Sequence, residues 1–151
     1  MSASGIAPDS QACRALTRLA EWPAIHIVDA GCGTGVGVGL APDARQILHV
    51  HSDRQAELCL TRTTIARLRP ALTESGALEE AAAEGDWAGF QLDTDRDVDL
   101  LLSLLSVALK AHSADRDRPL PPCSIQSAVS ATRPRRRRPR LTGFLEVRGR
   151  R

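Results

Sequence analysis

Aromatic side chains are scarce in this chain, with two tryptophans, two phenylalanines and no tyrosine among 151 residues. Single-stranded nucleic acid is held on aromatic stacking platforms, and the one arginine-rich run, Arg133 to Arg140, has only Phe144 near it, so base stacking is not encoded there. Lysine is almost missing as well. Of the twenty basic residues nineteen are arginine and one is Lys110, a bias that a GC-rich coding sequence explains more simply than selection for forked guanidinium contacts. No window approaches the roughly 18 consecutive apolar residues of a membrane span, which excludes a transmembrane helix. Residues 1–11 lack the basic start and apolar run of a secretory signal, and a cytoplasmic location is expected. The four cysteines, Cys13, Cys32, Cys59 and Cys123, form no C-x-x-C pair, so neither a zinc knuckle nor a dithiol redox motif is spelled out. Free thiols acting as small apolar residues are the expectation, and no metal site is.

What is present is the composition of a globular domain, 42% hydrophobic and 25% charged, at a length that suits one core. The net charge of +2 hides two unlike parts. Residues 1–112 carry nine basic and fifteen acidic side chains, a balance of minus six, whereas 113–151 carry eleven basic and three acidic, a balance of plus eight. An acidic body repels phosphate, so nucleic acid is a partner only through the tail. Pro119, Pro121 and Pro122, and the arginine run broken by Pro134 and Pro139, mark 113–151 as a disordered basic tail. Such a segment buries too little apolar surface to offset the ordering cost of about 1 to 2 kcal/mol per residue. The folded domain is expected over 10–112.

Within that domain Ser10 caps a short helix with Ala12, Cys13, Leu16, Leu19 and Ala20 on one stripe, ended by Trp22-Pro23. Short strands are expected at 25–28, 36–40, 46–51 and 57–60. In the third, Leu48 and Val50 share one side, and Ile47, His49 and His51 the other. Thr61 opens a helix carrying Ile65, Leu68 and Leu72, which Pro70 should kink or shorten and Gly76 stops. An edge strand at 78–80 and a central one at 87–92 follow. Thr94 then caps the strongest helix, 95–111, with Val98, Leu101, Leu102, Leu105, Ala108 and Leu109 facing inward. The fold class is α+β, a small antiparallel or mixed sheet of four to six short strands with helices on one face.

Two strings carry chemistry. Residues 27–35, with Gly31, Gly33 and Gly35, resemble the first motif of S-adenosylmethionine-dependent methyltransferases, in which glycines let backbone amides approach the cofactor. That resemblance implies a strand running into a helix, yet Val36 to Pro42 is a poor helix, and a hairpin turn is the simpler expectation. In His49-Val50-His51-Ser52-Asp53 the spacing of two puts all three polar groups on one side of a strand. The order resembles metallo-β-lactamase-like hydrolases but departs at Arg54, where their motif continues with another histidine; only His26 and His112 remain to complete a site. A polar strand face is therefore expected there.

Trp22-Pro23, residues 45–53, Ala56-Glu57-Leu58, Asp86-Trp87 and Asp97-Val98 together resemble a bacterial family of luciferase-domain proteins, over about 16–112. The resemblance implies neither light emission nor any settled catalytic residue. The expected function is a small binding or interaction domain that uses His49, His51, Asp53 and Trp87 and needs no cofactor. A methyltransferase fragment holding S-adenosylmethionine on Gly31, Gly33 and Gly35 is the enzyme alternative, and nucleic-acid association through the tail the other. Substrate, partner and oligomeric state are not encoded legibly.

Overall fold

A computed structural model describes residues 5–23, 25–40, 45–79 and 85–132. The arginine run and the rest of 133–151 lie outside the described residues, as does the tail alternative that depends on them. Helix α1 (Gln11–Leu19) is followed by β1 (Ile25–Asp29), β2 (Val36–Leu40), β3 (Arg45–Val50) and β4 (Gln55–Cys59). After these come α2 (Arg62–Ser75), β5 (Leu78–Glu79), β6 (Trp87–Gln91), α3 (Asp95–Ala114) and α4 (Ser124–Thr132). The six strands form one sheet in the order β1-β2-β3-β4-β6-β5, every pair antiparallel. The class is α+β. Among the described residues no helix is long and apolar enough to cross a membrane.

Strand register separates two faces. Residues paired across antiparallel strands share a face, and the pairs Val38↔Leu48, Leu48↔Leu58, Leu58↔Ala88 and Ala56↔Phe90 draw a fully buried apolar surface across four strands. Helices α1 and α3 pack on each other, and α3 packs on β4 and β6. Leu101, Leu102, Leu104 and Leu105 of α3 are buried, so its wide apolar face is a core face. A capping box at its start joins Thr94 to Asp97 reciprocally. The other face runs Gly37↔His49, His49↔Glu57, Glu57↔Gly89, and is polar in its middle.

Two local expectations change, while the hairpin expected at the glycine string is present. Helix α2 runs through Pro70 to Ser75. Pro70 is exposed and so is Ala66, whose carbonyl loses its amide donor, so water can satisfy that carbonyl. The glycine string forms the hairpin between antiparallel β1 and β2, not the strand-to-helix unit of the methyltransferase resemblance. Gly33 and Gly35 supply positive φ, Ala30 N donates to Gly35 O, and Gly33 N donates to Ala30 O, so the loop closes on itself. The boundary at 112 also moves. Residues 115–123 form a strap that crosses to the polar face, where Trp87 Nε1 donates to Pro121 O at 2.8 Å and Cys123 is 1% exposed. With Leu120 and Ile125 also packed on the core, the described part of the expected tail is a structural layer.

Candidate functional site: a thiol-imidazole cluster beside a basic cleft

The polar face owes its geometry to a β-bulge. Register between β2 and β3 shifts at Val38/Gly39, so that Gly39 pairs with Gln46 while Val38 pairs with Leu48. Regular alternation would put residues 46 and 49 on opposite faces, and the extra residue brings both to one side. Gln46 Oε1 thereby lies 2.9 Å from His49 Nε2 and also accepts from Gly31 N at 2.8 Å, while Gln46 Nε2 donates to Asp29 O at 3.0 Å. A Cβ at residue 37 would collide with the Gln46 amide, which explains why glycine stands opposite His49.

These bonds fix the state of His49. Since Gln46 donates through its nitrogen to Asp29, its oxygen must accept, so Nε2 of His49 carries the proton and Nδ1 presents a lone pair. That Nδ1 is buried with no hydrogen-bond partner among the described residues. Burial, then the neighbouring His51, lower the His49 pKa from 6.5 to about 4 against a smaller opposing effect of Glu57. His51 lies between a carboxylate and a thiol. Its Nδ1 lies 3.5 Å from Glu57 Oε2, and its Nε2 lies 3.6 Å from Cys32 Sγ at the hairpin tip. Burial lowers its pKa too, with Glu57 opposing.

Cys123 completes the group. The donor atoms of Cys32, His49, His51 and Cys123 all lie within 4.8 Å of one another. Burial pushes the Cys123 thiol up to about 11. Glu57 is 5% exposed and accepts from Ser124 N at 3.3 Å through Oε1, while its Oε2 is buried without a hydrogen-bond partner among the described residues. Trp87 stacks obliquely on His49 with ring centroids 5.0 Å apart.

Beside the cluster opens a cleft of about 980 Å³ between the polar face and the strap. His49, Trp87 and Cys123 form part of its wall, and Arg45, Arg116 and Arg118 bring three guanidinium groups to it against the single carboxylate of Asp117. Arg45 is pinned by donating from Nη1 to the carbonyls of Asp115 and Arg116, and its Nε is buried without a hydrogen-bond partner among the described residues.

Residues 44–108 match the Luciferase domain family. No curated protein and no solved structure matches the chain. The Luciferase-domain segment supplies His49, His51, Glu57 and Trp87, whereas Cys32 and Cys123 come from outside it. Of the residues expected from sequence, the fold brings together His49, His51 and Trp87. Asp53 is elsewhere, at the β3–β4 turn, where Oδ1 accepts from Ala7 N at 2.6 Å and its carbonyl from Ala12 N, holding the entry to α1. Gly31 borders the cleft, but its amide is engaged by Gln46 and that of Gly33 by Ala30. Sequence reasoning missed Cys32, Cys123, Glu57, Gln46 and Arg45. Glu57 was findable, because a tight turn after His51 places it directly opposite His49; the two cysteines carried no local signal.

Proposed function

We propose that this Luciferase-domain chain is a binding domain for a small organic anion, taken into the cleft between the polar sheet face and the strap. One observation carries the reading. Arg45, Arg116 and Arg118 line a single cleft, and no carboxylate lies within ion-pair distance of any of them among the described residues. Guanidinium groups in fixed positions recognise carboxylate or phosphate by forked hydrogen bonds, and the indole of Trp87 offers an apolar wall for the rest of such a ligand. A half-buried cation with an unpartnered Nε donor gains most from an anion, because its desolvation has already occurred in the fold.

Trp87 is the natural reporter. In a Trp22→Phe background, titration with phenyl phosphate is expected to change Trp87 fluorescence saturably, and inorganic phosphate to compete. The exposed residues Arg116 and Arg118 can be changed without disturbing the core. Arg118→Gln should weaken binding about tenfold or more, the value of one charge-assisted hydrogen bond of about 1.5 to 3 kcal/mol. A signal that stays flat up to millimolar ligand, or that is indifferent to both arginine variants, removes the reading.

A further inference from the structure

We propose that Cys32, His49, His51 and Cys123 form a tetrahedral zinc site that clamps the β1–β2 hairpin tip and the strap onto β3. Two thiols and two imidazoles are the set that closed structural zinc sites use, and soft sulfur with nitrogen in a tetrahedron selects zinc over the oxygen-seeking cations. Zinc-sulfur and zinc-nitrogen bonds of about 2.3 and 2.0 Å put neighbouring sulfur and nitrogen donors about 3.5 Å apart in a tetrahedron. Cys32 Sγ and His51 Nε2 stand 3.6 Å apart. All six donor separations lie within 4.8 Å, so small side-chain rotations close the shell.

The surroundings of the cluster fit the same metal. A histidine that binds zinc gives its other ring N–H to a carboxylate or carbonyl, which sets the tautomer and aims the lone pair. His49 is arranged so through Gln46, and His51 has the Glu57 carboxylate 3.5 Å from Nδ1, near enough to take up that bond. Glu57 faces the Nδ1 side of His51, leaving Nε2 toward Cys32, and Gln46 takes the Nε2 proton of His49, leaving the orphaned Nδ1. A divalent cation also answers the burial of the Glu57 carboxylate, which has no lysine or arginine in ion-pair range among the described residues. Zinc binding displaces the thiol protons to solvent and leaves both thiolates on the metal. Four protein ligands leave no open coordination position, so the role is structural: the metal joins residues from three separated segments and fixes one wall of the cleft. The site shares His49 and Cys123 with the cleft wall, whereas Cys32 and His51 do not border the cleft, so the cobalt titration and the phosphate titration can fail separately.

Cys32, His51 and Glu57 also stand in the order nucleophile, base, carboxylate. The second thiol decides between the two uses, because a cysteine nucleophile has no need of Cys123 in its shell. The test uses the full chain, stripped with a chelator and titrated with Co²⁺, then Zn²⁺. Expected are one equivalent of Co²⁺ with the visible bands of a tetrahedral site and thiolate-to-cobalt charge transfer, displaced by Zn²⁺. Cys32→Ser and Cys123→Ser should each reduce the charge-transfer band, Cys13→Ser should leave it intact, and Glu57→Gln should keep the stoichiometry while weakening affinity about 10- to 100-fold. Should the cysteine variants fail to fold, the unaltered chain still decides: Zn²⁺ must protect Cys32 from alkylation and leave Cys13 as reactive as before. Octahedral cobalt spectra, or Cys32 alkylation as fast with Zn²⁺ as without it, overturn the site. Unusually fast, zinc-indifferent alkylation of Cys32 would assign the three residues to nucleophilic chemistry instead.

Discussion

Gly35 shows how a single residue holds the site in place. Its φ of +82° is unfavourable for any residue with a Cβ, and a Cβ there would strike the carbonyl of Val50. Gly33 has a similar φ of +84° but open space around it. Gly33→Ala should therefore cost about 1 to 2 kcal/mol, the left-handed penalty alone, and Gly35→Ala clearly more, as read from urea midpoints. His49 sets a pH dependence at the same scale. Its folded pKa of about 4 lies below the ordinary 6.5, so between those values the unfolded chain binds the extra proton. Metal-free protein is expected to keep its full stability above pH 6.5 and to lose it progressively towards pH 4. In His49→Gln the slope of stability against pH over that interval should flatten. Cys59, 1% exposed and pushed by burial up to about 11, should resist alkylation in the native state.

At the scale of elements, α3 is both the best-formed helix and the plate under the apolar face. Removing its cap by Thr94→Ala should cost about 1 kcal/mol, because the N-terminal amide of Asp97 loses its side-chain acceptor. The bridges Arg14–Asp95 and Arg18–Asp99 that join α1 to α3 are more than half exposed at both ends. Asp95→Asn and Asp99→Asn are accordingly expected to shift the thermal midpoint far less than the cap does. The sequence marked α3 well, since its period, cap and acidic first turn are all short-range properties. The bulge in β3 is different. Nothing within 45–50 announces it; it arises from pairing with β2, and it alone puts Gln46 beside His49.

For the whole molecule, the strap and α4 are the layer that the chain's composition concealed. Truncation after His112 should uncover Trp87 and Glu57, lower the cooperativity of unfolding, shift the tryptophan emission to the red and abolish tight Co²⁺ binding, since Cys123 is gone. An intact fold with unchanged metal affinity after that truncation would refute the assigned role of the strap. Helix periods, strand alternation, turn residues and the α+β class were legible in the sequence because each depends on neighbours a few positions away. His49 and His51 were legible as partners for the same reason, two residues apart at the end of β3. Cys32 and Cys123 were not, since they meet only after the hairpin has folded, β3 has taken its bulged register and the chain beyond α3 has crossed the sheet. Local steric and solvation preferences are written residue by residue, whereas the meeting of distant donors is set by strand register and chain closure, and those exist only in three dimensions.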